Sequence, residues 1–231
     1  MNDKKILVID TATEACSVAF SLNGTVTSKF AVCPQEHSKR LLPMVDELLK
    51  DAKVTINDID ILGVGIGPGS FTGVRIAMGM AQGLAFGAKI PVVGASTLQA
   101  MAQETYHRTG VGQVYSAIDA RMSEVYFAGF DVDDAGLMCE REVQQVLPPQ
   151  QVASEYLGSG REFGFAGTGW QAYSELQNSV SGAPLVQYPS AEFMLPFVIA
   201  QLEQQKAIDI MDLEPVYLRD KVTWKKLPGR E

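Results

Sequence analysis

Two stretches of this 231-residue chain are near-copies of one another. Ile6-Leu7-Val8-Ile9-Asp10 passes through Thr11-Ala12-Thr13-Glu14-Ala15 into Cys16-Ser17-Val18-Ala19-Phe20. Val114-Tyr115-Ser116-Ala117-Ile118-Asp119 passes through Ala120-Arg121-Met122-Ser123-Glu124 into Val125-Tyr126-Phe127-Ala128-Gly129-Phe130. Each copy is an apolar strand ending in Asp, a short polar turn and a second strand. An internal repeat restricts architecture more than any other sequence feature, because each copy needs a neighbour against which to bury its apolar face. The chain is therefore expected to fold as two lobes that open alike.

Two lobes that each begin strand–Asp–turn–strand is the plan of the α/β actin-like fold (ASKHA, ribonuclease H-like), in which paired acidic turns face one another across a nucleotide cleft. The expected division is an N-terminal lobe over 1–108 and a C-terminal lobe with a basic tail over 109–231. In the first lobe, strands at 5–10, 16–22 and 25–32 form a meander, with Asn23-Gly24 as a two-residue hairpin turn. A helix over 36–52 follows, with Leu41, Met44, Val45, Leu48 and Ala52 on one face and Pro43 either near its first turn or kinking it. Strand 61–66 leads into Gly67-Pro68-Gly69-Ser70-Phe71-Thr72-Gly73, then a helix over 72–86 that Gly87 is placed to end. Strand 90–94 and a helix over 96–106 close the lobe, and 108–112 reads as the junction. The second lobe adds a strand near 137–146, a short helix after Pro148-Pro149, a glycine turn at 167–169, and helices over 170–177 and 190–205. Strands alternating with helices after a meander predict mixed sheets covered by helices.

The formal charge of −8 argues against this chain holding nucleic acid by itself, since non-specific affinity comes from neutralising phosphates. Lys221, Lys225, Lys226 and Arg230, with Arg219, make the tail locally basic; it is either a solvated terminus or a contact for an acidic partner or RNA. Cys16, Cys33 and Cys139 are far apart and odd in number, which fits a reducing cytoplasm. Only Ile6 to Ile9 follow Lys4-Lys5 before Asp10, too short for a signal-peptide core, and no apolar run approaches the ~18 residues of a membrane span. A cytoplasmic chain without a membrane partner is expected.

The glycine run at 67–73 is not a phosphate loop, because Val74-Arg75 follows where a Lys-Ser/Thr pair is needed. It is either a structural turn with a capped helix start or a weak anion cradle. The helix after it is apolar nearly all round, and Gly79, Gly83 and Gly87 recur every fourth residue. Each glycine costs ~1 kcal/mol against alanine in a helix, so the stripe calls for close approach by a neighbour, and a partner subunit is the expected one. Asp10, Thr11, Thr13, Asp119, Gly167 and Gly169 are either a vestigial nucleotide site or ordinary turn residues, the two Asp capping their turns: the first turn keeps hydroxyls for phosphate, but Ala120-Arg121-Met122 in the second does not. His37 and His107 have no metal-ligand spacing, so neither metal nor cofactor is expected.

The first acidic hairpin, Glu36-His37-Ser38-Lys39-Arg40-Leu41-Leu42-Pro43, the 67–75 run, Ile118-Asp119-Ala120-Arg121-Met122-Ser123-Glu124-Val125-Tyr126 and Pro215-Val216-Tyr217-Leu218-Arg219 together resemble the bacterial TsaB (YeaZ) family over essentially the whole chain. That resemblance implies a role in making threonylcarbamoyladenosine beside the anticodon of tRNAs that read codons beginning with A. It also implies a heterodimer with the catalytic paralogue TsaD, a TsaE-type ATPase in the larger complex, tRNA reached indirectly, and homodimers through the same first-lobe helices. The implied partner-binding residues are His37, Leu41, Met44, Val45 and Leu48 on one helix and Arg75, Gly79, Met80 and Gly83 on the next. The metal-holding histidines of TsaD-like chains correspond here to Thr97 and Met101, which cannot supply imidazole nitrogens. A non-catalytic subunit is the expectation. The alternative is an active actin-like ATPase or phosphotransferase, while a peptidase finds neither metal spacing nor an evident triad.

Overall fold

Asn23 and Gly24 take the left-handed conformations of a two-residue hairpin turn, with φ of 50° and 78°. They join β2 (Ala15–Leu22) to β3 (Thr25–Val32), and β2 pairs in turn with β1 (Ile6–Asp10). The computed structural model describes residues 3–157 and 162–219. A parallel strand, β4 (Ile61–Gly67), lies beside β1, and β5 (Val92–Ser96) beside β4, giving the order β3-β2-β1-β4-β5. In the second sheet β6 (Gln113–Arg121), β7 (Glu124–Val132) and β8 (Met138–Leu147) form another antiparallel meander, and β9 (Gly164–Ala166) runs parallel to β6. Its order, β8-β7-β6-β9, repeats β3-β2-β1-β4 strand for strand. The duplication read from the two Asp hairpins is thus a duplication of topology, and the α/β actin-like expectation holds.

Helices α1 (His37–Asp51) and α2 (Phe71–Ala88) cover one face of the first sheet, where Leu7, Ile9, Val18 and Phe20 meet Leu41, Val45, Ala77 and Ala81. Ile6, Val8 and Ala19 on the opposite face meet the turn at 191–194 and α7 (Leu195–Glu203). Between the sheets, α3 (Thr97–Thr109) buries Leu98, Met101 and Ala102 against Val114, Ala128 and Phe130. The outer face of the second sheet is an aromatic layer of Tyr115, Phe127 and Trp170, closed by α4 (Pro149–Tyr156) and two single turns, α5 (Gly169–Ala172) and α6 (Ser174–Gln177).

Three helix boundaries differ from the sequence reading. Helix α2 does not stop at Gly87; it continues to Ala88, and Lys89 takes the left-handed cap at φ 57°, which returns Ile90 to the core. The helix expected over 170–177 breaks at the extended Tyr173, whose hydroxyl is used elsewhere. The segment expected over 190–205 begins as a 3₁₀ turn, and its α-helix starts only with Pro196 in its first turn, where the missing N–H is harmless. Pro43 lies past the first turn of α1, on its solvent side. Among the described residues, no helix is long and apolar enough to cross a membrane.

Candidate partner face and inter-lobe cleft

Helix α2 starts where Ser70, its N-cap, accepts a hydrogen bond from Gly73 N at 3.3 Å. Its buried side is Gly73, Val74, Ala77, Met78, Ala81 and Ala85, at helical spacing. The glycines at 79, 83 and 87 lie on the other side, and a Cβ on any of them would meet nothing within 4 Å. No element of the chain's described part therefore needs their smallness. The same side carries Phe71 and Phe86, which are 63% and 76% exposed, with Arg75 exposed between them and Met80 half-buried at the margin. Residues 71, 75, 79, 83 and 86 recur at intervals of four, four, four and three, so they share one face. The two phenylalanines were absent from the sequence-based site, although this spacing was the available signal.

Helix α1 lies beside α2 on the same face of the sheet. Its apolar stripe points the other way from the one expected of a partner face. Leu41, Met44, Val45 and Leu48 are packed in the lobe's own core, and His37 is buried with its Nε2 2.7 Å from Thr13 O. A carbonyl only accepts, so that nitrogen carries the proton. The physical reason is ordinary amphipathicity: the apolar stripe of a surface helix turns to its own sheet. The outer face of α1 shows Leu42, Pro43, Asp46, Glu47 and Lys50.

Between the lobes lies a cleft of about 950 Å³. Thr13, Glu14, Ser70 and Arg75 line it from the first lobe, Asp119, Arg121 and Tyr126 from the second, and Val216, Tyr217 and Arg219 from the chain that crosses between them. Of the six residues read as a vestigial nucleotide site, Thr13 and Asp119 reach the cleft lining. Asp10 is fully buried, and its carboxylate occupies the space a side chain on Gly65 would need. Burial pushes its pKa up to about 7, against the weaker pull of the Ala12 and Thr11 backbone N–H groups.

The first acidic turn is roofed. Thr11 Oγ1 donates to Gly73 O at 2.7 Å and Ser70 N donates to Ala12 O at 2.7 Å. Cβ atoms on Gly69 and Gly73 would collide with the carbonyls of Ala12 and Thr11. The 67–73 run, which contains a cis Gly67–Pro68 bond, spends its glycines on this close approach. Of the two readings left open for it, structural turn or anion cradle, the observed contacts are those of the turn.

The second turn is engaged differently. Asp119 Oδ1 accepts from Tyr173 Oη and from Arg121 N, both at 2.8 Å, while Oδ2 lies 2.9 Å from Arg121 Nη1. Burial raises the Tyr173 phenol to about 12, helped by the Asp119 charge. Gly167 at φ 105° and Gly169 pack against the Ala117 carbonyl, and Thr168 Oγ1 accepts from Asp119 N at 3.1 Å. This glycine turn braces β6 rather than facing the cleft. Asp10 is thus enclosed within the first lobe, while both oxygens of Asp119 are engaged by Tyr173 and Arg121.

Arg75 is held over Phe71, 3.2 Å from the ring centroid, with the centroid of the adjacent Tyr217 ring at 5.0 Å. Thr97 is fully buried, its hydroxyl donating to Pro68 O at 2.6 Å, and Met101 is fully buried between the sheets. Neither faces an open site. Lys221, Lys225, Lys226 and Arg230 lie outside the described residues.

Comparison with known proteins places these features. The family model described as TsaD, tRNA N6-adenosine threonylcarbamoyltransferase, matches residues 27–224. The tRNA threonylcarbamoyladenosine biosynthesis protein TsaB of Escherichia coli (strain K12) is 47% identical over 231 residues, covering 98% of this chain and 100% of that protein. The Haemophilus influenzae TsaB is 43% identical over 239 residues and covers both chains completely, 100% of each. The solved structure of YeaZ from Pseudomonas aeruginosa superposes with a TM-score of 0.83 at 38% identity, over 93% of this chain and 100% of that one.

Proposed function

From the premise that this chain belongs to the TsaB (YeaZ) family of tRNA threonylcarbamoyladenosine biosynthesis proteins, we propose that it is a non-catalytic, activating subunit that works by pairing with a TsaD-type paralogue. One observation carries this reading. The face of α2 bearing Gly79, Gly83, Phe71 and Phe86 presents bare glycine backbone between two exposed rings, with Arg75 stacked on Phe71, and beyond Tyr217 at Phe71 the described chain leaves it open. A helix with three glycines on one side lets another backbone approach closely, and the aromatic rings at its ends supply area to bury. Leu42 and Pro43 are exposed on the neighbouring α1, whereas Leu41, Met44, Val45 and Leu48 lie in the core that both helices cover.

The catalytic chemistry belongs to the paralogue in this proposal. Buried Thr97 and Met101 offer no ligand pair for a metal, Asp10 is enclosed within the first lobe, and the Asp119 carboxylate is engaged by Tyr173 and Arg121. A TsaE-type ATPase joins the larger assembly, tRNA is held chiefly by the paralogue, and a homodimer forms through the α2 face when the paralogue is absent. The setting is the cytoplasm, where Cys16, Cys33 and Cys139 remain thiols.

The test is reconstitution. Titrating this chain into a TsaD-type protein, with the mass of the assembly and threonylcarbamoyladenosine formed on tRNA as readouts, should give a stoichiometric complex and modification that requires both. Modification of tRNA by this chain alone, or no association at micromolar concentrations, would sink the reading.

A further inference from the structure

The hairpin turn between β6 and β7 is unusual in its residues. Arg121, Met122 and Ser123 all have positive φ, at 62°, 57° and 61°. Elsewhere, the β2–β3 turn meets a similar demand with Asn23-Gly24, residues suited to it, while the β1–β2 turn that corresponds to this one has no residue at positive φ. Here three consecutive side chains with a Cβ are in the left-handed region, which is sterically costly and persists only when the surroundings over-determine it. Asp119 holds one end through Arg121 N.

The other hold comes from 98 residues further along the chain. Arg219 Nη1 donates to Ala120 O at 3.2 Å and Nη2 to Arg121 O at 3.4 Å, while the same guanidinium pairs with Glu124 across the turn. Arg219 is the last described residue, and the stretch leading to it from Leu213, which is buried in the first-lobe core, has neither helix nor strand. On the way Val216 N donates to Ile66 O at 2.9 Å, and the Tyr217 ring lies 6.2 Å from that of Phe71. One short stretch therefore ties β4 of the first lobe to the strained turn of the second, and forms one side of the cleft.

We propose that residues 213–219 act as a strap that docks as a unit, and that Arg219 is a positioning residue that maintains the left-handed turn at 121–123. The cleft has its observed wall only with the strap docked: releasing Arg219 relaxes the turn and withdraws Tyr217 from Arg75 together. Anything that engages the chain beyond Arg219 thereby acts on the cleft. The inference concerns the isolated chain and stands or falls apart from its role in tRNA modification.

Residue-resolved amide hydrogen exchange on the full-length protein tests it. In Arg219→Ala, exchange should accelerate on the order of tenfold or more at 119–126 and at Val216, as expected for losing bonds to a charged donor. The amides of β1 and α3 should keep their protection. Arg219→Lys, which keeps the charge but not the fork that reaches two carbonyls, should fall between. The exchange pair Arg219→Glu with Glu124→Arg restores an ion pair without the carbonyl bonds and should not restore protection. Unchanged rates at Val216 and 119–126 in Arg219→Ala, full recovery in the charge exchange, or a uniform loss of protection across the whole chain would each overturn the proposal.

Discussion

The Asp10 carboxylate sits against the bare Cα of Gly65, in space that any larger residue on β4 would fill. Asp10 ends β1 at full burial, and the turn after it is roofed by the start of α2. Burial holds its pKa up to about 7, above the ordinary 3.8. In the unfolded chain Asp10 ionises near 3.8, whereas in the fold it keeps its proton to about 7. Its contribution is fully present below pH 4 and is lost as pH rises through about 7. At about 1.4 kcal/mol per unit, the cost at pH 8 is at most ~4 kcal/mol. Asp10→Asn, which cannot ionise, should gain stability relative to wild type across that window. Urea unfolding of both proteins from pH 4 to 8 measures the gap, and a gap that does not widen would contradict the assignment.

Glycines on opposite sides of α2 should respond oppositely to one methyl group. Gly73→Ala drives a Cβ into the Thr11 carbonyl, and overpacking of this kind costs about 1–3 kcal/mol, so the melting temperature should fall. Gly83→Ala meets open space and should raise stability by up to ~1 kcal/mol through helix propensity. Thermal melts of the two variants decide the matter.

A larger side chain on the open side should harm association and spare the fold. Gly83→Leu has room in the monomer, but would hold a partner helix away, weakening pairing with the TsaD-type paralogue by about 1–3 kcal/mol. Phe86→Ser should weaken it too, by removing an exposed ring from the same face. Binding titrations give the affinities, and circular dichroism checks the helix content. Wild-type affinity in both variants would move the partner face elsewhere.

Isolated chain should show no ATP turnover attributable to its own acidic residues. Asp10 is sealed from the cleft and Asp119 is occupied by Tyr173 and Arg121. Steady-state phosphate release should be the same for wild type and Asp10→Ala. Robust release that Asp10→Ala abolishes would revive the phosphotransferase alternative.

Affinity of the chain alone for tRNA should be weak and salt-dependent, because a net charge of −8 opposes it and the locally basic stretch after residue 219 holds only Lys221, Lys225, Lys226 and Arg230. Truncation after Arg219, which leaves the strap in place, should remove most of what binding there is. Fluorescence titrations at several salt concentrations provide the comparison, and tight binding that survives truncation would locate an RNA surface within the lobes.

The topology was legible because Asp10 and Asp119 close equivalent strands, and strand pairing follows from apolar runs that can be read along the chain. The uncovered side of α2 was legible for a similar reason: Gly79 and Gly83 are expensive in a helix unless something approaches them. Periodicity also found the apolar stripe of α1, but it cannot say whether Leu41 and Val45 meet their own sheet or another protein; burial decides that. The break at Tyr173 and the grip of Arg219 on the 121–123 turn depend on partners 54 and 98 residues away, for which local propensity carries no signal. The sealing of Asp10 escaped notice because a glycine in a strand reads the same whether it faces solvent or a carboxylate.

A smooth stripe that repeats every four residues looks nearly the same to a docked helix after a slide of one repeat, about 6 Å along the axis. Gly79, Gly83 and Gly87 therefore permit close approach but leave the register undefined, much as a rail permits a carriage to stop anywhere. Phe71 and Phe86 are the end-stops: they stand 15 residues apart, about 22 Å, and occur once each on that face. In the proposed pairing, the rail between them accepts partners of different sequence, each coming to rest where its own surface leaves room for the two rings.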